Sequence, residues 1–163
     1  MPKTPSFPEH ALRRWAISAA VLVVAQAALA DPVVVEQVTD VAATNAHDMF
    51  QFSPDILRIE PGGEVEFRNS IRGHTVHSIP ELWPEGAAPI GISYRPEAVV
   101  RFDAKGIYGI TCRRHGLFGM VMLVVVGAPD GGGDLGTRID ATVLSQEARD
   151  KLRSIAEASG LLP

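Results

Sequence analysis

The stretch Pro54–Asn69, "PDILRIEPGGEVEFRN", is the part of the sequence from which the fold class can be read. Leu57 and Ile59 alternate with Arg58 and Glu60, so an extended chain would carry apolar groups on one side and charges on the other. Pro61-Gly62-Gly63 breaks the pattern with a turn. Beyond it Val65 and Phe67 alternate with Glu64, Glu66 and Arg68. Both runs have the period of two that half-buried strands require.

Reading outward, the same kind of segment recurs. Val33–Val41 is rich in β-branched residues, Met49–Phe52 is short and aromatic, and Ile71–Ile79 reads as extended. Pro80–Pro96 is rich in Pro and Gly and reads as a long connection without regular structure. Ala98–Phe102 and Ile107–Thr111 read as strands joined by a hairpin-like turn at Asp103–Gly106. Val121–Val126 is a continuous apolar strand. Asp130–Asp134 holds three glycines and reads as a linker. From Ser145 to Ser159 the period changes: Ala148, Leu152, Ile155 and Ala156 form one helical stripe, with Ser145 as N-cap and Gly160 just past the end. Many short strands followed by one helix predict an all-β, antiparallel β-sandwich with a C-terminal helical appendix.

The N-terminus has a different composition. Lys3, Arg13 and Arg14 precede an uncharged run, Trp15–Ala25, that continues weakly to Ala30, and Ala28-Leu29-Ala30 suits a cleavage site. This is the layout of a secretory signal peptide over residues 1–30. A domain at 31–128 and a linker plus helix at 129–163 follow. Removing the signal would take the formal net charge from −4 to −6, because Lys3, Arg13, Arg14 and Glu9 go with it. An acidic chain of this kind is a poor general nucleic-acid binder. After cleavage no membrane segment is expected. The single cysteine, Cys112, excludes an internal disulfide, and an exported thiol left idle invites oxidation.

Cys112 lies in "TCRRHGLFGM", Thr111–Met120. Cys112, His115 and Met120 fall between the end of one strand and the start of the next, where a loop can turn all three side chains to one point. Thiolate, imidazole and thioether together suit copper, and one further imidazole completes a trigonal His₂Cys site with a weak axial Met. His74 and His77 compete for that place. Three residues apart on a strand, they face opposite ways. His74 shares the face of apolar Val76 and follows Gly73, which lets the backbone turn, so His74 is the expected ligand and His77 a surface residue. His47 reads as an ordinary loop histidine, and Met49 and Met122 as apolar packing. A nucleophilic cysteine would need a triad partner, and a zinc site more cysteines; the sequence offers neither.

These residues resemble a cupredoxin, most closely a pseudoazurin. The resemblance runs through "FSPDILRIEPGGEVEF", "GHTVHSI", "PEG", "GIYGITCRRHGLFGMVMLVVVG" and the helical tail. It implies a Greek-key sandwich and one type 1 copper held by His74, Cys112, His115 and Met120. It departs from the common pattern at Thr75, where pseudoazurins commonly carry Asn, and at Arg113-Arg114, where they commonly carry Thr-Pro. What the resemblance implies for function is a periplasmic, monomeric blue copper protein that shuttles single electrons and is not an enzyme. The alternative is copper storage or delivery without redox turnover. Its implied partners are a nitrite or nitrous oxide reductase, a cytochrome or a quinoprotein. The edge of His115 would be the electron port, within a small apolar patch of Gly116, Leu117, Phe118 and Gly119. Arg72, Arg113 and Arg114 would form a positive rim that steers an acidic partner.

Overall fold

The computed structural model describes residues 31–128 and 132–163. The signal-peptide reading and the first part of the linker therefore lie outside the described residues. Among the described residues seven strands form: β1 Val33–Thr39, β2 Phe50–Ser53, β3 Ile56–Ile59, β4 Gly63–Ser78, β5 Gly91–Phe102, β6 Gly106–Thr111 and β7 Val121–Val126. A one-turn helix α1 (Ala46–Met49) precedes β2, and α2 (Leu135–Ala141) and α3 (Gln146–Ala158) follow β7. The strand order is β2-β1-β4-β6-β7-β3, with β5 on β4.

The 16-residue β4 turns this path into two layers. β5 runs along one edge of β4 from Gly63↔Phe102 to His77↔Gly91. The other edge is shared: β1 pairs with the first half and β6 with His77 and Ser78. Between Ser70 and Thr75 the β4–β5 register slips, and the ribbon bends there. The expected β-sandwich with a helical appendix is what forms. Most pairings are antiparallel; β1–β4 and β3–β7 are parallel.

β7 shows why its sequence, "VMLVVV", is apolar at every position. Met122, Val124 and Val126 enter the core between the layers, with Val35, Phe52 and Phe67 from the opposite layer. Val121 and Leu123 point the other way, into a second core capped by Leu135 and Ile139 of α2 and by Ala148, Leu152, Ile155 and Ala156 of α3. A strand covered on both faces loses the polar alternation. The stripe expected on the terminal helix is buried, and Ser145 caps it by accepting from Ala148 N–H at 3.2 Å.

Three local expectations are corrected. Gly91–Pro96 belongs to strand β5 rather than to an unstructured connection, because β4 extends far enough to pair with it. β5 and β6 follow each other in sequence but do not form a hairpin: β5 pairs with β4, and β6 with β4 and β7. The stretch after the glycine-rich linker contains α2, where a single terminal helix was expected.

Candidate metal centre

Three elements meet at one end of the sandwich: the β6–β7 loop, the β4 bulge, and the paired ends of β1 and β2. The loop is closed at its neck by Cys112 N–H donating to Met120 O at 3.1 Å. Inside it, Gly116 N–H donates to Cys112 O at 2.7 Å, and Met120 N–H to His115 O at 3.2 Å. A 3₁₀ turn, Gly116–Phe118, ends at Gly119, whose φ of 89° suits glycine. Gly116 is required by crowding, since a Cβ there would lie 2.5 Å from Thr111 Oγ1. The loop backbone thus binds the three sequence-predicted positions Cys112, His115 and Met120 to one another.

His74 comes from the bulge in β4. Gly73 has φ of 100°, and the Arg114 side chain lies over it. His74 and Val76 are buried on the same side, as expected. His74, Cys112 and His115 bring their ligand atoms within 4.8 Å of one another, and Cys112 Sγ is 3.6 Å from His115 Nδ1. Cys112 and Met120 are fully buried and His74 is 6% exposed, whereas His115 is only half-buried. His77 stays out of the cluster. It is half-buried rather than solvated, because its ring packs over Gly91. His47 is exposed on α1 and Met122 is core.

The surroundings set the histidines up as ligands. The Nε2 of His74 meets Thr39 Oγ1 at 2.8 Å. With the hydroxyl accepting from Nε2–H, Nδ1 is left with its lone pair, and that buried atom has no hydrogen-bond partner among the described residues. Burial, then the positive charge His115 would carry, pushes the pKa of His74 down. Burial, then the Arg114 guanidinium, does the same for His115. Both shifts favour the neutral imidazole, the form a metal requires. Thr75 Oγ1 donates to Cys112 Sγ at 3.8 Å and accepts from Arg113 N–H at 2.9 Å. A buried sulfur and two imidazoles, one of them with an orphaned buried nitrogen, form a donor set that fits copper.

Two residues at the site were not found by sequence reasoning, Thr39 and Phe50. They are register partners across β1 and β2. Thr39 touches His74, and the Phe50 ring stacks on His115 with centroids 3.9 Å apart. Within the sequence both read as ordinary strand residues, and only the pairing brings them to the centre.

Residues 39–127 match the model of the copper binding proteins of the plastocyanin/azurin family. The chain belongs to that family. A pseudoazurin from Methylorubrum extorquens AM1 is 34% identical over 143 residues, covering 85% of this chain and 94% of the relative. The crystal structure of pseudoazurin from Methylobacterium extorquens AM1 superposes with a TM-score of 0.65 at 30% identity, covering 79% of this chain and 99% of the other. That of native pseudoazurin from Hyphomicrobium denitrificans gives 0.63 at 30% identity, covering 77% and 97%. The chain is thus a pseudoazurin-like cupredoxin, a blue copper electron-transfer protein in which His74, Cys112 and His115 are positioned to bind the ion. Among the described residues no helix is long and apolar enough to cross a membrane.

Proposed function

We propose that this protein is a monomeric periplasmic carrier of single electrons and not an enzyme. Its ligand set is His74, Cys112, His115 and, as the weak axial donor, Met120. The observation that carries the assignment is the convergence of Cys112 Sγ with two imidazoles, one of whose nitrogens is buried without a hydrogen-bond partner among the described residues. Bound there, copper supplies a one-electron Cu(II)/Cu(I) couple. The chain's own part is to keep the donors in place in both states and to exclude water. The backbone bonds of the loop and the full burial of Cys112 and Met120 serve both ends.

His115 is the most exposed of the four and serves as the port. Leu117, 55% exposed, supplies the apolar contact beside it; Gly116 and Gly119 are buried and add little to the proposed patch. Arg113 and Arg114 are exposed and form no ion pair among the described residues, which supports a positive docking rim. The Arg72 side chain lies outside the described residues. The partner is a redox protein with an acidic docking face, of the reductase, cytochrome or quinoprotein kinds named above.

The test is the visible spectrum of the copper-loaded protein beside Cys112→Ser. Intense thiolate-to-copper absorption in the wild type and none in the variant is expected. A colourless wild type would overturn the proposal, and colour without reversible reduction would favour storage or delivery. Electron transfer to the partner should slow as salt is raised; a rate unchanged or raised by salt would remove the steering role of the arginines.

A further inference from the structure

We propose that Phe50 is a positioning residue for the metal centre, its ring fixing the rotation of His115 and holding the reduction potential of the bound copper down. This rests on the electron-transfer reading above and concerns a residue outside both ligand-bearing segments. The ring of Phe50 lies on the imidazole of His115 with a 3.9 Å centroid separation and only 4° between planes. His74 meets the same imidazole edge-on, at 4.9 Å and 63°. Phe118 packs on Phe50 in turn, at 5.7 Å and 28°. His115 is therefore held flat from one face and braced at an angle by its fellow histidine.

The parallel arrangement is informative. Two neutral aromatic rings avoid lying squarely face to face, because their negative faces repel. An imidazole that shares the charge of a metal ion lacks that objection and is attracted by the ring face. At 3.9 Å the two centroids are closer than the separation of about 4.5–7 Å usual for offset or edge-on neutral pairs, and that close overlap suits a ligated, electron-poor imidazole. Core filling explains why Phe50 is half-buried against the first core, but an apolar filler would accept any tilt. The imidazole is more electron-poor on Cu(II) than on Cu(I). The stack therefore favours the oxidised state, and its loss should raise the potential. The same cross-strand pair holds the other histidine, since Phe50 sits opposite Thr39, whose hydroxyl meets His74 Nε2.

The experiment compares wild type with Phe50→Leu, Phe50→Tyr and pentafluorophenylalanine at position 50. Leucine keeps the apolar cover but removes the ring face; tyrosine keeps the face; fluorination keeps the shape and reverses the charge of the face. The readouts are the Cu(I) and Cu(II) dissociation constants, by competition with chelators, and the potential by voltammetry. Thermal unfolding of the copper-free proteins reports whether each is folded. Phe50→Leu and the fluorinated protein should shift the affinity ratio toward Cu(I) by about threefold to tenfold, a tenfold shift being about 59 mV for one electron. Phe50→Tyr should stay near wild type. An unchanged ratio in the folded leucine and fluorinated proteins, or a tyrosine shift equal to that of leucine, would overturn the proposal. If Phe50→Leu does not fold, the isosteric fluorinated protein decides. Irreversible voltammetry of the wild type would instead overturn the electron-transfer reading, while the affinity ratio, which needs no turnover, still decides the role of Phe50.

Discussion

The Thr75 hydroxyl joins the two halves of the metal centre, donating to Cys112 Sγ while accepting from the Arg113 N–H. A hydrogen bond to a thiolate stabilises the electron-rich reduced site more than the oxidised one. Thr75→Val, close in shape, should therefore lower the reduction potential, by an amount that corresponds to about 1 kcal/mol; voltammetry reads it. Met120→Leu tests the proposed axial donor. The swap is tolerated in packing at about 1.5 kcal/mol or less, so the protein should stay folded and coloured. Removal of a donor that favours Cu(II) should raise the potential, and an unchanged potential would exclude Met120 from the ligand set. The candidate ligands were legible in the sequence because their chemistry is in their residue types. The roles of Thr39 and Phe50 were not, since they depend on which residue each strand places opposite or beside them. The unusual Arg114 gains a partial explanation: its side chain covers Gly73 next to His74.

Among the elements, the β6–β7 loop carries Arg113-Arg114 and no proline, yet backbone hydrogen bonds close it at several points. α3 supports it from outside. Ser145 caps α3 and also donates to Leu117 O at 3.1 Å, so one hydroxyl ties the helix to the ligand loop. Ser145→Ala should cost about 1 kcal/mol, seen as a lower urea midpoint. Leu152, fully buried in the second core, carries more: Leu152→Ala should cost about 2–5 kcal/mol by the same measurement. β7 and α3 were legible because burial on two faces and on one stripe leave plain patterns. α2 was not. It is seven residues long, includes Gly136, and buries only Leu135 and Ile139, so tertiary packing rather than propensity makes it a helix. The start of β5 was hidden for a similar reason, since its pairing with β4 is a long-range event.

For the whole molecule, three histidines respond to acid in the same direction. His74, His77 and His115 all have pKa values lowered in the fold, chiefly by burial. An unfolded histidine takes up its proton near pH 6.5. The stability these neutral rings contribute is thus fully present above that pH, and it is lost as pH falls through the depressed folded values. Thermal midpoints of the copper-free protein should drop from pH 7 to pH 5. Replacing His77 with Gln, which leaves the ligands in place, should reduce that slope.

The pairing of Thr39 with Phe50 reaches beyond the centre itself. β2 is the last strand of its layer, and the turn before it is anchored by Asp40 N–H donating to Met49 O at 2.8 Å. Terminal hairpins of this kind commonly open ahead of the rest of a fold. Here the hairpin has one residue on each histidine, so opening it requires releasing both rings. Metal loading should therefore slow amide hydrogen–deuterium exchange across β1 and β2 more than across β3, which lies at the opposite end of the strand order. The rim of the sheet becomes a gauge of occupancy, and exchange mass spectrometry could read it without any optical signal from the metal.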